Sequence, residues 1–269
     1  MVPVPRIAVW SRIVSARLIQ IKTGELPIPA IEEAAATLER GGLVVLPTDT
    51  VYGLCCRAGR PDAIRRVYEA KGRPGDKPLP FLIPDMDAVQ NFVNRVSPAA
   101  QRLMDRYWPG ALTMVLGPSP GVALRLPDHQ LAREVLRSVA GPVHATSANL
   151  SGESDAMTGA DAHRALGGRV ELVLDGGRTP GGGASSIVRV PDEGPVTVLR
   201  DGGIPSTELL GVGRFTVALV CTGNTCRSPM AAALLRHKLA ERLGGAPDDL
   251  PLVGVEVVSA GVMAWPGST

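Results

Sequence analysis

Apolar positions recur along this chain with two alternating periods. Between Ala30 and Arg40, the residues Ile31, Ala34, Ala35 and Leu38 form one stripe at helical spacing, and Gly41-Gly42 supplies a stop. The run from Leu43 to Leu46 is apolar without interruption, the pattern of a buried strand. The alternation continues with helices predicted near 62–70, 88–93, 99–107 and 131–139. Strands are predicted near 79–83, 112–116, 122–126, 143–146, 172–174, 187–190 and 196–199, which together spell a mixed α/β sheet domain. From Asp201 to Gly213 the chain is rich in Gly and turn formers, so we place a linker at 206–213. A second unit then begins, with a strand at 215–220, a loop, a helix from Pro229 to about Arg242 and a strand at 255–258. No internal repeat and no long low-complexity tract interrupts this order.

Length and composition narrow the classes. At roughly 150 residues per domain, 269 residues make one large or two modest domains. Aromatics are only 3% of the chain, too few for base-stacking platforms along a single strand of nucleic acid. The net charge of +2 does not mark a dedicated polyanion binder. No apolar run has the length of a membrane span, and a secretory core is absent from the N-terminus. Residues 1–16 read as a basic tail, since Pro3 and Pro5 do not suit an amphipathic transit helix. Cys55-Cys56 and the pair Cys221 and Cys226 match neither a disulfide framework nor a zinc site, so a reducing cytoplasm is expected.

Chemistry gathers first at strand ends, where open α/β sheets bind ligands. LPTDTVYGL, residues 46–54, packs Thr48, Asp49, Thr50 and Tyr52 into a turn. EAKGRPGDKPLP sets Lys71, Arg73 and Lys77 together at a helix end; favourable charge at a helix C-terminus would account for them equally well. HATSANLSG carries Thr146, Ser147 and Asn149, able to hold phosphate oxygens or simply to cap a turn. GGGASSIVRV brings Ser185 and Ser186, and Arg200 closes the domain. His129 and His144 are expected to be structural, Arg189 to lie on a strand surface, and Cys55 and Cys56 to be packing residues.

Taken in order, PTDTVYGL, KGRPGDKPL, WPGALTMVL, VALRLPDH, TSANLSG, ASSIV and LRDGG resemble the YrdC-like threonylcarbamoyl-AMP synthase family over residues 17–205. The family's Lys-x-Arg and Ser-x-Asn signature falls on Lys71, Arg73, Ser147 and Asn149, which the resemblance makes the catalytic set. The resemblance implies a twisted open mixed sheet with helices and a basic concave site. It also implies condensation of L-threonine, bicarbonate or CO2 and ATP into threonylcarbamoyl-AMP and pyrophosphate, for a separate transferase that modifies tRNA. ATP would be held by Arg73, Lys77, Asn149, Thr158 and Arg200, with Mg2+ on the triphosphate. Threonine would lie against Thr50, Arg125, Ser147 and one of Ser185 or Ser186. Leu82 stands where many relatives have a His near the threonine. Two other functions fit parts of the pattern: a tRNA or double-stranded RNA binding module on the same basic concavity, and a carbamoyl-transfer domain of the hydrogenase-maturation type, against which the cysteine count argues.

A second constellation lies at VALVCTGNTCRSPMAAALLR, residues 217–236. Cys221 and Arg227 bracket a loop between a strand and a helix, with Ser228 expected as the N-cap and Pro229 at the first helical position. Such a loop aims backbone N–H groups at one spot, favours a thiolate and offers a guanidinium fork; a buried strand-end Cys is the plainer reading. With SAGV at 259–262 it resembles the low-molecular-weight protein tyrosine phosphatases, closest to the protein-arginine phosphatase branch, with Cys226 as their second thiol. No Asp-Pro follows Arg227, so residues 214–269 are expected to form a partial, Rossmann-like phosphatase unit that binds phosphate without turnover.

Overall fold

The computed structural model describes residues 15–22, 24–73, 75 and 77–263. Most of the expected basic tail therefore lies outside the described residues. In chain order the elements are β1 (Arg17–Gln20), α1 (Ile28–Glu39), β2 (Val44–Leu46), β3 (Gly53–Arg57), α2 (Pro61–Lys71), β4 (Phe81–Leu82), α3 (Pro98–Tyr107) and β5 (Leu112–Leu116). There follow β6 (Val122–Arg125), α4 (Gln130–Ser138), β7 (Val143–Ser147), α5 (Gly159–Leu166), β8 (Leu172–Asp175), β9 (Ser186–Val190) and β10 (Thr197–Arg200). The chain continues through α6 (Ser206–Gly213), β11 (Phe215–Cys221), α7 (Arg227–Leu243) and β12 (Val255–Gly261). The helix predicted near 88–93 is a 3-10 turn at Asp87–Asn91, and a second such turn spans Pro247–Val253.

Two compact units emerge. The first comprises residues up to Val89 with 109–111 and 124–184, and the second comprises 90–108, 112–123 and the chain from Ser185. This division departs from a boundary near residue 205.

In the first unit the strands run in the order β1-β8-β2-β3-β7-β4, and Leu124 and Arg125 of β6 follow beside β4. β1, β8 and β2 are parallel, β2-β3-β7-β4 antiparallel, and β4 and β6 parallel. Helices α1 and α4 cover one face through Ile31, Ala34, Leu38, Leu131 and Val135, packed on Val44, Leu46, Cys55 and Val143. On the other face Ala63, Val67, Ala162 and Leu166 of α2 and α5 pack on Val45, Leu54, Cys56 and Val173. Because side chains alternate along a strand, adjacent Cys55 and Cys56 serve opposite cores, and both are fully buried packing residues as expected.

In the second unit β9 lies between β5, to which it is parallel, and antiparallel β10. The stretch read as a linker is α6. Its Gly content suggested a turn, but Leu209 is buried and the guanidinium of Arg102 on α3 donates to the carbonyls of Val212, Gly213 and Arg214 at the helix end. β11 and β12 form a separate parallel pair against which α7 packs. Among the described residues no helix is long and apolar enough to cross a membrane.

Candidate functional site

The C-terminus of α2 meets the end of β7. Lys71 is 3% exposed and its ammonium donates to the backbone carbonyls of Ser147 and Asn149 and, at 3.2 Å, to Asn149 Oδ1, so it ties the helix end to the last residue of β7 and the turn that follows. Burial, helped by Arg73 and opposed by Asp155, lowers the lysine pKa to about 8. Ser147 Oγ donates to Asn149 Oδ1 at 2.6 Å, and Asn149 Nδ2 donates to the Glu153 carbonyl at 2.6 Å. A cavity of about 720 Å3 opens beside Asn149, lined also by Glu153, Asp155, Asp161 and Arg164.

Arg73 leaves α2 just past Gly72, whose φ of 59° ends the helix in the left-handed region that glycine adopts readily. Its Nη1 donates to Thr146 Oγ1 at 3.1 Å and its Nη2 to the Pro78 carbonyl at 3.3 Å, whereas Nε is buried without a partner. These two bonds use two of the five guanidinium N–H donors and fix its plane, and a guanidinium held in this way is suited to an incoming oxyanion. Lys77 is exposed, and Tyr68 Oη donates to its carbonyl. The Thr158 hydroxyl caps the N-terminus of α5, accepting from Asp161 N–H at 3.0 Å.

At the other strand end of this unit Arg125 is buried and heavily engaged. Nη2 pairs with Asp49 at 2.6 Å, Nη1 donates to Thr50 Oγ1 at 2.7 Å, and Nε donates to the Gly110 carbonyl at 3.0 Å. Asp49 also accepts from Asp128 N–H at 3.0 Å. Thr50 is thus a partner of Arg125, and Asp49 is its counter-ion, a role that composition of the motif alone did not assign. Gly181 of the Gly-rich loop lies over this turn, where a Cβ would stand 2.7 Å from Asp49 O and Thr50 Cα. Only glycine permits that approach. Nearby His129 is half-buried with Nδ1 unpartnered, and His144 stacks on Phe81 at 4.0 Å, both in structural settings.

Within the second unit, Ser185 Oγ lies 2.8 Å from Thr113 Oγ1, and Arg200 Nη2 donates to Ser185 O at 2.7 Å and Oγ at 3.2 Å. Ser186 is fully buried and exchanges hydrogen bonds with the main chain of Ile204. Alternation along the start of β9 turns adjacent serines opposite ways. Arg189 donates to the Pro120 carbonyl at 2.8 Å from a half-exposed strand position.

Across residues 36–202 the chain matches the Sua5/YciO/YrdC family model, whose description reads "Telomere recombination". That segment is more than half of the 269 residues. The chain belongs to the Sua5/YciO/YrdC family. It is 39% identical over 196 residues to the threonylcarbamoyl-AMP synthase of Bacillus subtilis and 35% identical over 190 residues to that of Pyrococcus abyssi. These alignments cover 68% and 66% of this chain and 56% of each relative, so the chain spans little more than half their length. It is 35% identical to a putative threonylcarbamoyl-AMP synthase of Mycobacterium tuberculosis, covering 68% of this chain and 89% of that one. Its fold is similar to the crystal structure of P. abyssi Sua5 complexed with L-threonine, with a TM-score of 0.68, 24% identity and coverage of 92% of this chain and 93% of that one. The solution structure of the MTH1692 protein from Methanobacterium thermoautotrophicum matches with a TM-score of 0.52 at 35% identity, over 68% of this chain and 91% of that one. In this Sua5/YciO/YrdC family member, Leu82 belongs to the core beside Val143 and Ala145.

The loop between β11 and α7 is a second site. Cys221 Sγ accepts from Asn224 N–H at 3.2 Å and from Ser228 Oγ at 3.0 Å, and these hydrogen bonds bring the thiol to about 7. Asn224 takes a φ of 51° to turn the loop, and Ser228 Oγ also approaches Asn224 Oδ1 at 2.9 Å. The helix begins earlier than expected, at Arg227 with Cys226 as N-cap, so Ser228 sits inside the first turn. The reason is that its hydroxyl is drawn to the thiol and to Asn224. A cavity of about 290 Å3 is lined by Cys221, Thr222, Arg227 and Ser228. Residues 216–269 match the model described as "Low molecular weight phosphotyrosine protein phosphatase".

Proposed function

We propose that this chain is a threonylcarbamoyl-AMP synthase. The threonine amine adds to CO2 with loss of a proton, or to bicarbonate with loss of water, and an oxygen of the resulting carbamate attacks the α-phosphorus of ATP as pyrophosphate departs. The adenylate then serves tRNA threonylcarbamoyladenosine formation through a separate transferase. What carries the reading is the meeting of Arg73, Thr146, Ser147 and Asn149 at one strand end in a member of this family. Negative charge grows on the departing pyrophosphate, and fixed cations and N–H donors that need no reorganisation stabilise it. Arg73 and Lys77 supply charge there, and Mg2+ enters with the triphosphate as part of the substrate. Arg125, held in place by Asp49 and bonded to Thr50, meets the carboxylate of threonine. The synthases of B. subtilis and P. abyssi, and the threonine complex of P. abyssi Sua5, support this assignment. Incubation with ATP, bicarbonate and L-threonine should release pyrophosphate and yield the acyl-adenylate. Pyrophosphate release indifferent to threonine refutes the assignment.

For the Cys221 loop we propose binding of phosphate without turnover by this chain. The thiol near neutrality, Arg227 and the start of α7 make an anion site. Three carboxylates of the same segment are engaged elsewhere: Glu241 with Lys238, Asp249 with Ala246 N–H, and Glu256 with Arg214 and Thr216. General-acid protonation of a leaving group typically contributes about 10² to 10⁴ in rate. Phosphate should protect Cys221 from alkylation, while phosphotyrosine and phosphoarginine remain uncleaved. Hydrolysis lost in Cys221→Ser overturns this reading.

A further inference from the structure

Lys71 has three ammonium protons and faces three acceptors, the carbonyls of Ser147 and Asn149 and the Oδ1 of Asn149. Its own carbonyl accepts from Ser151 N–H at 2.8 Å, so one residue grips the segment after β7 from both ends. The Asn149 side chain is held twice over: Oδ1 accepts from Lys71 and from Ser147 Oγ, and Nδ2 donates to the Glu153 carbonyl. Lys71 is 3% exposed, and these three acceptors account for every proton of its ammonium. We infer that Lys71 is a positioning residue, which fixes the 147–153 turn in the form that offers Ser147 and Asn149 to a nucleotide; this rests on the synthase reading above.

The geometry makes the grip depend on the third proton. Losing it removes one of three donors and the charge that draws three oxygens together. Burial and Arg73 lower the group to about 8, and Asp155, the acid facing it from the turn, opposes them. Nucleotide affinity therefore falls as pH rises through that value.

The probe is AMP, titrated calorimetrically into the full chain from pH 6.5 to 9.5. If the protonated form alone holds the turn, affinity drops about tenfold between pH 7 and 9. Lys71→Met removes all three donors and should weaken AMP on the order of thirtyfold with no alkaline limb. Asp155→Asn keeps every contact of Lys71 and removes the acid that supports its charge, so the limb should move to lower pH while the fold, followed by circular dichroism, is unchanged. A purely structural lysine would not produce that displacement. The inference is overturned if wild type binds no AMP, if its affinity lacks the alkaline limb, if Asp155→Asn leaves the limb in place, or if folded Lys71→Met binds as wild type does. Threonine-dependent pyrophosphate release is measured on the same samples. AMP binding with the displaced limb but no such release sinks the synthase reading alone; release without the limb sinks the role of Lys71 alone.

Discussion

Replacing Asp49 tests how the Arg125 end of the site is built. The Arg125–Asp49 contact is 2.6 Å, and the two side chains are 8% and 12% exposed, so solvent screens it little. Asp49→Ala removes the carboxylate from a buried guanidinium that keeps Thr50 Oγ1 and Gly110 O among its acceptors, and it also strands Asp128 N–H. Removing one partner of a buried pair costs about 3 to 5 kcal/mol, and the lost hydrogen bond to Asp128 adds about 1 kcal/mol. Asp49→Asn keeps an amide oxygen for both donors and loses only the charge, so its cost should be about 1.5 to 3 kcal/mol. The assay is urea denaturation read by circular dichroism, with separate transitions fitted for the two compact units, because a chain of this build is not two-state. The KM for threonine should rise in both variants, more in the alanine, since Arg125 loses its fixed orientation. A loss below about 1 kcal/mol in Asp49→Ala, or equal costs for the two variants, would refute the claim that charge pairing holds Arg125.

Arg73→Ala should lower adenylation by about thirty- to a thousand-fold, the consequence of removing about 2 to 4 kcal/mol of transition-state stabilisation, with near-normal unfolding in urea; wild-type turnover would contradict it. Serine should replace threonine with a deficit of about 1 to 3 kcal/mol, the value of one methyl in an apolar niche, and competition kinetics showing more than about a thousandfold preference would exceed that range. Cys221, brought to about 7 by Ser228 and backbone N–H groups, should be alkylated by iodoacetamide with a rate that rises through pH 7, and Ser228→Ala should move that midpoint upward. Cys55 and Cys56, whose pKa values burial raises, Cys56 to about 12, should stay unreactive in the folded protein, and mass spectrometry of the alkylated peptides distinguishes the pairs.

Much of this architecture was legible from the amino-acid order. The apolar stripe of α1, the continuous run of β2 and the strand-loop-helix around Cys221 are local patterns, and local periodicity is what a linear sequence records. The motif residues likewise announced a strand-end site with Arg73, Ser147 and Asn149 in it. What escaped was decided by partners distant along the chain. β3 is not among the strands the periodicity predicts, and pairing with β2 and β7 makes residues 53–57 one. The 206–213 stretch looked like a linker because its glycines are poor helix formers, and Arg102, more than a hundred residues away, satisfies its last carbonyls. Lys71 and Arg73 carry like charge two residues apart, and composition treats them alike. Only the tertiary structure separates them, because three oxygens at and after the end of β7 lie against the Lys71 ammonium and take every proton it has, whereas Arg73 spends two of its five N–H donors on Thr146 and Pro78. Ser185 and Ser186 are both buried, the first bonded to Thr113 and Arg200 and the second to Ile204. Sequence determines which groups are present near a strand end; the packing of strands and helices determines which of them the protein itself consumes, since a buried acceptor must be satisfied before any ligand arrives.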